Sequence, residues 1–174
     1  MPQLTDIFEL ERLGLRTGEG RRLELHADAD DLAFAGAHYK VEPRPLPVVL
    51  EISRMVGSGY ALRLRFSATV GGPCMRCLEP ASPTFDVDSY EVHQPGGGQD
   101  LTSPYIEDEL DLQAWARDAL VLELPTQIVC SEDCQGLCAV CGENLNTAEA
   151  GHAHEAAPDP RWAKLSELKL DRQG

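Results

Sequence analysis

Six cysteines in two groups constrain the fold of this chain more than any other feature. Four of them are Cys130, Cys134, Cys138 and Cys141, and the other two form the close pair Cys74 and Cys77. In a Cys-x-x-Cys turn, or knuckle, both sulfurs can bind one ion, and a second pair of ligands completes a tetrahedron. The glycine after Cys141 permits such a turn. The sequence therefore predicts metal binding, with a thiol-rich segment that holds no metal as the alternative.

Eight side chains are candidate ligands, because two histidines follow the last cysteine in a run otherwise rich in Ala and Glu. Eight ligands suffice for two closed zinc sites. The predicted first site is Cys74, Cys77, Cys130 and Cys134, and the predicted second site is Cys138, Cys141, His152 and His154. The alternative is one site made of the two knuckles, with both histidines as surface residues.

Such a supply of ligands favours structural sites, since a catalytic zinc keeps one position open for water. A redox Cys-x-x-Cys is typical of a thioredoxin-like βαβ unit, and neither pair has that setting. Arg76 lies between the first two thiols and could offset the charge of four thiolates or lower a thiol pKa. We expect no catalytic residues, and a thiol redox or zinc-dependent enzyme remains the alternative.

The charge of the chain limits its partners. Its 174 residues include 29 acidic and 15 basic ones, for a net charge of −14. Such a surface repels phosphate backbones at long range, so we expect a basic protein partner. Any direct RNA contact should be confined to a patch near Arg63, Arg65 and Arg76. The N-terminus shows no secretory signal and no stretch suits a membrane span, which predicts a cytoplasmic protein with no membrane partner.

Alternating apolar residues predict a sheet. We expect β structure over 5–27, split by a turn, and a hairpin of 48–56 with 60–70, where the alternation is strictest. The strand should end at Gly71-Gly72-Pro73 and deliver the chain to the first cysteine pair. A return strand over 85–92 changes phase near Ser89, which suggests a bulge. The prolines at 43, 45 and 47 exclude a central strand there.

Two helices are predicted. The first covers 111–123, begins at Asp111 as its N-cap and stops before Pro125, and Trp115 should lie in the core. The second follows Asp159. The predicted fold class is α+β: a twisted antiparallel sheet, open or partly closed, with one packed helix and a C-terminal cysteine-rich zinc-binding lobe. The predicted domains are 1–129 for the sheet and 130–174 for the lobe, packed on the first.

Several motifs together resemble the YceD family, the large ribosomal RNA subunit accumulation proteins. They are Cys74-Met-Arg-Cys77-Leu-Glu-Pro, a helix ending Leu122-Glu-Leu-Pro125, the run from Cys130 to Asn146, and Asp159-Pro-Arg-Trp-Ala-Lys-Leu165. Their order and spacing resemble the family over about 62–168. The resemblance implies a bacterial cytoplasmic protein needed for normal accumulation of large-subunit ribosomal RNA, encoded beside a small large-subunit ribosomal protein.

The resemblance also bears on the ligands. Some relatives carry Cys-x-Cys where this chain has His152-Ala-His154, and others lack the second knuckle but keep the other four cysteine positions, which favours two sites. The expected function is a non-enzymatic factor for large-subunit biogenesis that contains structural zinc. Its expected partners are large-subunit proteins or an assembling particle. A zinc-stabilised adaptor without a ribosomal role is a further alternative.

Overall fold

A computed structural model describes residues 7–98 and 101–154. The chain divides into two compact units, Met1–Cys134 and Gln135–Gly174. The predicted boundary at residue 130 and the predicted packing of the lobe stay predictions, and the helix predicted after Asp159 lies outside the described residues. No helix in the described part of the chain has the length and apolar character needed to cross a membrane.

The described residues of the first unit form antiparallel β structure with one α-helix and two short 3-10 helices, Leu10–Leu13 and Val56–Ser58. Its strands are β1 (Ile7–Phe8), β2 (Gly20–Ala27), β3 (Leu32–Phe34), β4 (Ala37–Glu42), β5 (Leu46–Arg54), β6 (Tyr60–Pro73), β7 (Pro80–Ala81), β8 (Thr84–His93) and β9 (Leu110–Asp111), and the helix is α1 (Leu112–Glu123). The main sheet has the order β2-β5-β6-β4-β3, with β7 and β8 also paired to β6, while β1 pairs with β9. The predicted α+β class is confirmed. The sheet is open, so partial closure is wrong.

Strand β6 is the central strand of the sheet, because β5 pairs with it over residues 60–65 and β8 pairs with it over residues 60–69. Its alternating apolar side chains are buried: Tyr60, Leu62, Leu64, Phe66, Ala68 and Val70. The predicted hairpin with β5 is confirmed. The strand ends at Pro73, within the predicted Gly71-Gly72-Pro73 terminus. It pairs with β4 up to Gly71 and with β7 at its last two residues. Gly72 fits there because a Cβ at this position would overlap the Tyr39 ring.

The region of the three prolines contains more β structure than predicted. Strands β3 and β4 precede it, and Pro47 lies inside β5, opposite His26 of β2. The pairing of β5 with β6 begins only at Val49. Pro47 therefore lies where β5 has one neighbouring strand, and its missing N–H removes no bond to β6.

The predicted return strand is confirmed as β8, but the bulge near Ser89 is wrong. The register with β6 is uninterrupted from Tyr60 opposite His93 to Thr69 opposite Thr84. The apparent phase change has a different cause. Ser89 lies on the core side of the strand, where its hydroxyl accepts a hydrogen bond of 2.9 Å from the Trp115 indole. A polar residue thus occupies a position that an apolar pattern would assign to the core.

Helix α1 covers the core side of the sheet. The Asp111 side chain accepts a hydrogen bond of 2.9 Å from the Ala114 amide, as predicted for its N-cap. The apolar face of the helix is buried: Leu112, Trp115, Ala116, Ala119 and Leu120. The chain leaves the helix at Leu124 and reaches Ile128, a buried residue that leads into the cysteine-rich stretch.

Candidate metal centres

The first cluster consists of Cys74, Cys77, Cys130 and Cys134, whose four sulfurs lie within 4.8 Å of one another. The sulfurs of Cys74 and Cys134 are 3.8 Å apart, and those of Cys77 and Cys130 are 3.6 Å apart. A tetrahedral ion with zinc–sulfur bonds of about 2.3 Å would separate its sulfurs by about 3.8 Å. All six cysteines of the chain are free thiols. The first cluster is therefore positioned to hold one metal ion.

Strand β6 positions the first two thiols, because Cys74 follows its last residue. The knuckle closes through a hydrogen bond of 3.0 Å from the Leu78 amide to the Cys74 carbonyl and one of 2.8 Å from the Cys74 amide to the Glu79 carbonyl. The Arg76 amide points at the Cys74 sulfur, 3.4 Å away. A ladder-paired strand thus presents two sulfurs in a fixed orientation, which is what a preorganised site needs.

The segment after helix α1 brings the other two thiols to the knuckle. The Met75 amide donates to the Ile128 carbonyl at 2.8 Å, and the Ile128 amide lies 3.4 Å from the Met75 sulfur. The Arg76 guanidinium donates to the Gln127 side chain at 3.0 Å and to the Cys134 carbonyl at 3.2 Å. Arg76 therefore ties the knuckle to the segment that carries Cys130 and Cys134.

The second cluster consists of Cys138, Cys141, His152 and His154, and its ligand atoms also lie within 4.8 Å of one another. The Cys141 sulfur is 3.5 Å from His152 Nε2 and 3.2 Å from His154 Nε2, and the two Nε2 atoms are 3.1 Å apart. A tetrahedral zinc with bonds of about 2.0–2.3 Å gives edges of about 3.3–3.8 Å. The structure thus groups the eight side chains as the two-site prediction does.

Glu143 is a site residue that the sequence analysis missed. Its carboxylate lies 3.1 Å from His152 Nδ1. A carboxylate that accepts from Nδ1–H fixes the tautomer in which Nε2 is free for a metal, and such partners orient metal-bound histidines. The available signal was a glutamate two residues after Cys141. Its role depends on a contact with a histidine further along the chain, which the spacing alone does not specify.

The two knuckles have the same backbone geometry. In the second, the Gly142 amide donates to the Cys138 carbonyl and the Cys138 amide donates to the Glu143 carbonyl, both at 2.8 Å, which repeats the pattern of the first. The residue after the second cysteine has a positive φ in both, 76° at Gly142 and 64° at Leu78. Glycine adopts this conformation without strain, whereas leucine does not.

In each cluster, hydrogen bonds from backbone amides favour the deprotonated form of one cysteine. Burial raises the pKa of Cys74, but hydrogen bonds from the amides of Cys77, Arg76 and Cys130 lower it to about 6. The amides of Cys141 and Val140, with the His152 ring, lower the pKa of Cys138 to about 6. Metals bind thiolates, so both clusters offer a ligand that is deprotonated near neutral pH.

The predicted basic patch is largely neutralised. Arg63 forms two hydrogen bonds with Asp88, of 2.7 and 2.6 Å, and Arg65 contacts Glu51 at 2.6 Å. The hydrogen bonds from Arg63 lower the pKa of Asp88, which keeps that pair ionised. Arg76 is engaged in the first cluster. Arg63 and Arg65 therefore form ion pairs, and Arg76 forms structural contacts. That any direct RNA contact is confined to this patch stays a prediction.

Comparisons with known proteins agree with the resemblance. The chain is 33% identical to an uncharacterized protein of Mycobacterium tuberculosis over 92% of this chain and 79% of that protein. It is 31% identical to the maize large ribosomal RNA subunit accumulation protein YCED homolog 1, chloroplastic, over 81% of this chain and 60% of that protein. No solved structure matches the chain significantly. The family model of the large ribosomal RNA subunit accumulation protein YceD matches residues 62–169, and the chain belongs to this family.

Proposed function

We propose that this protein is a non-enzymatic factor in the biogenesis of the large ribosomal subunit and that it contains two structural zinc ions. The main support for this proposal is that the chain belongs to the family of large ribosomal RNA subunit accumulation proteins. The maize relative has the same description in its name. A cytoplasmic location belongs to the same proposal.

The chemistry of the two clusters supports zinc. Four thiolates, or two thiolates with two imidazoles, are ligand sets that suit this ion, and the four ligand atoms of each cluster lie within 4.8 Å of one another. Each cluster supplies four protein ligands, so a bound ion would have no open position for a substrate or a water. This argues for a structural role. The antiparallel sheet likewise lacks the βαβ setting typical of thioredoxin-like enzymes.

The charges support a protein partner in preference to bare RNA. The net charge of −14 disfavours a phosphate backbone, and the arginines of β6 already contact carboxylates. An acidic factor can associate rapidly with a basic partner by electrostatic steering. We therefore propose a basic large-subunit protein, or an assembling particle that exposes one, as the primary contact. The association should weaken with salt.

A pull-down from bacterial lysate, with and without ribonuclease, tests the function. We expect large-subunit proteins to be recovered in both cases. A variant with Arg63→Ala and Arg65→Ala serves as a matched control, and its recovery should equal that of the unsubstituted protein because both arginines are paired. Tight binding to naked RNA at physiological salt, with no ribosomal protein retained after ribonuclease, would refute the proposal.

Metal analysis tests the cofactor separately. Protein purified without chelator should contain two zinc ions per chain. A readily reduced disulfide between Cys74 and Cys77, in place of zinc, would instead favour the thiol redox alternative.

A further inference from the structure

The two clusters differ in how they are enclosed. In the first, Cys74, Cys77 and Cys134 are buried. In the second, Cys141 and His154 are exposed and the other two ligands are only half-buried. A chelator or a water molecule can therefore approach the second cluster directly, whereas the first is covered by protein on most sides.

The clusters also differ in what must move to open them. Cys74 and Cys134 are separated by 60 positions and are held by strand β6 and by the segment around Ile128, so opening the first cluster disturbs the sheet unit. The second cluster closes within residues 138–154, since Cys141 is only 11 and 13 positions from its two histidines. Short local loops open and close rapidly.

The segment around the second cluster has little other support. The described residues 135–154 contain no helix and no strand, apart from an isolated bridge between Leu137 and Asn144. The Asn146 side chain accepts from the Gln135 amide at 2.8 Å, which is a contact within the same segment. None of the described residues 135–154 belongs to the buried apolar core. A bound metal would therefore supply much of the order of this segment, as it does in other small metal-bound folds.

Resting on the two-zinc assignment of the proposed function, we infer that the Cys138–Cys141–His152–His154 cluster is an exchangeable site whose occupancy controls the order of residues 135–154. When its zinc passes to a stronger chelator, this segment loses its fold, while the sheet unit keeps its own ion. The availability of zinc would then set the state of the second unit without unfolding the first.

The test is zinc release from the full-length, two-zinc protein mixed with excess EDTA. Metal content is measured over time after rapid removal of the chelator, and amide NMR signals are followed in parallel. We expect one equivalent to leave at least tenfold faster than the other. Signals from 136–154 should collapse with the fast phase, and signals from 60–73 should remain until the slow phase.

Two variants assign the phases. The double substitution His152→Ala and His154→Ala should leave one zinc per chain, released at the unchanged slow rate. His38→Ala removes an exposed histidine of β4 and should leave both phases unchanged. Release of both ions in a single phase, or retention of the 136–154 signals after the fast phase, would overturn the inference.

Failure of the inference and failure of the proposed function are distinguishable. A purified chain with fewer than two zinc ions refutes the two-zinc assignment, and the inference with it. Two ions that leave together refute only the inference. The ribosomal role is judged by the pull-down, which does not depend on the order of zinc release.

Discussion

Replacing Leu64 with alanine should destabilise the sheet unit by about 3–5 kcal/mol. Leu64 has no exposed surface and lies midway along β6, opposite Leu50 of β5 and Ser89 of β8. The substitution removes three carbon atoms, which at about 0.8 kcal/mol each accounts for about 2.4 kcal/mol of lost transfer free energy. Paired strands on both sides limit collapse around the cavity, so a cavity term adds to this loss.

Urea unfolding of the zinc-saturated protein measures the effect. Far-UV circular dichroism reports mainly on the sheet unit. The described residues of the second unit contain no strand or helix, so they contribute little to the signal. With a urea m value of about 1–3 kcal/mol per molar, the midpoint should fall by at least about 1 M.

Leu122→Ala is the matched control, since Leu122 is 83% exposed at the end of helix α1. It should change the free energy of unfolding by less than about 0.5 kcal/mol. A loss below about 1 kcal/mol for Leu64→Ala, or an equal loss for both variants, would refute the assignment of Leu64 to the centre of the core.

Three further substitutions test individual contacts. Ser89→Ala leaves the buried Trp115 indole without its acceptor and should cost about 1–3 kcal/mol in urea unfolding; an unchanged midpoint would show that the hydrogen bond contributes nothing. Leu78→Gly removes the backbone strain of a leucine in the left-handed region and should stabilise the zinc-loaded sheet unit by up to about 1 kcal/mol. A measured loss of stability would show that the leucine side chain makes compensating contacts. Glu143→Gln weakens the contact that orients His152 and should lower zinc affinity of the second cluster about 10–100-fold in a chelator competition.

Glu79→Gln provides the control for the glutamate substitution. Glu79 occupies the position of the first knuckle that corresponds to Glu143, and both use their backbone carbonyls to accept from the first cysteine. The first cluster has no histidine to orient, so Glu79→Gln should leave its zinc affinity unchanged. Equal losses in both variants would point to a general charge effect.

Much of the sheet follows directly from the sequence. The strict alternation along β6 predicts its buried face because side chains of a strand point to opposite sides with a period of two. Asp111 predicts the start of helix α1 because its side chain can accept from an unpaired amide of the first turn. The two groups of candidate ligands that the structure brings together match the grouping predicted from spacing, in which the two histidines accompany the second knuckle.

The remaining features depend on contacts that spacing does not encode. Ser89 resembles a break in the alternation until the indole of Trp115 is placed against it. Pro47 resembles a strand breaker until the ladder shows that β5 has a single neighbour there. Arg63 resembles a free cation until Asp88 is found on the adjacent strand. In each case a residue distant in sequence changes what the local pattern means.

The positive φ of Leu78 in the first knuckle affects the order in which the two knuckles fold during synthesis. At Leu78 the intrinsic preference of the residue opposes the native turn, which is a local frustration, whereas at Gly142 preference and structure agree. The second knuckle can therefore take shape as a short peptide as soon as its ligands have been made. The first must wait for the sheet and for Cys130 and Cys134 to impose the turn on it. We expect a peptide of residues 136–154 to bind zinc on its own and a peptide of residues 72–81 to remain unstructured with or without the metal.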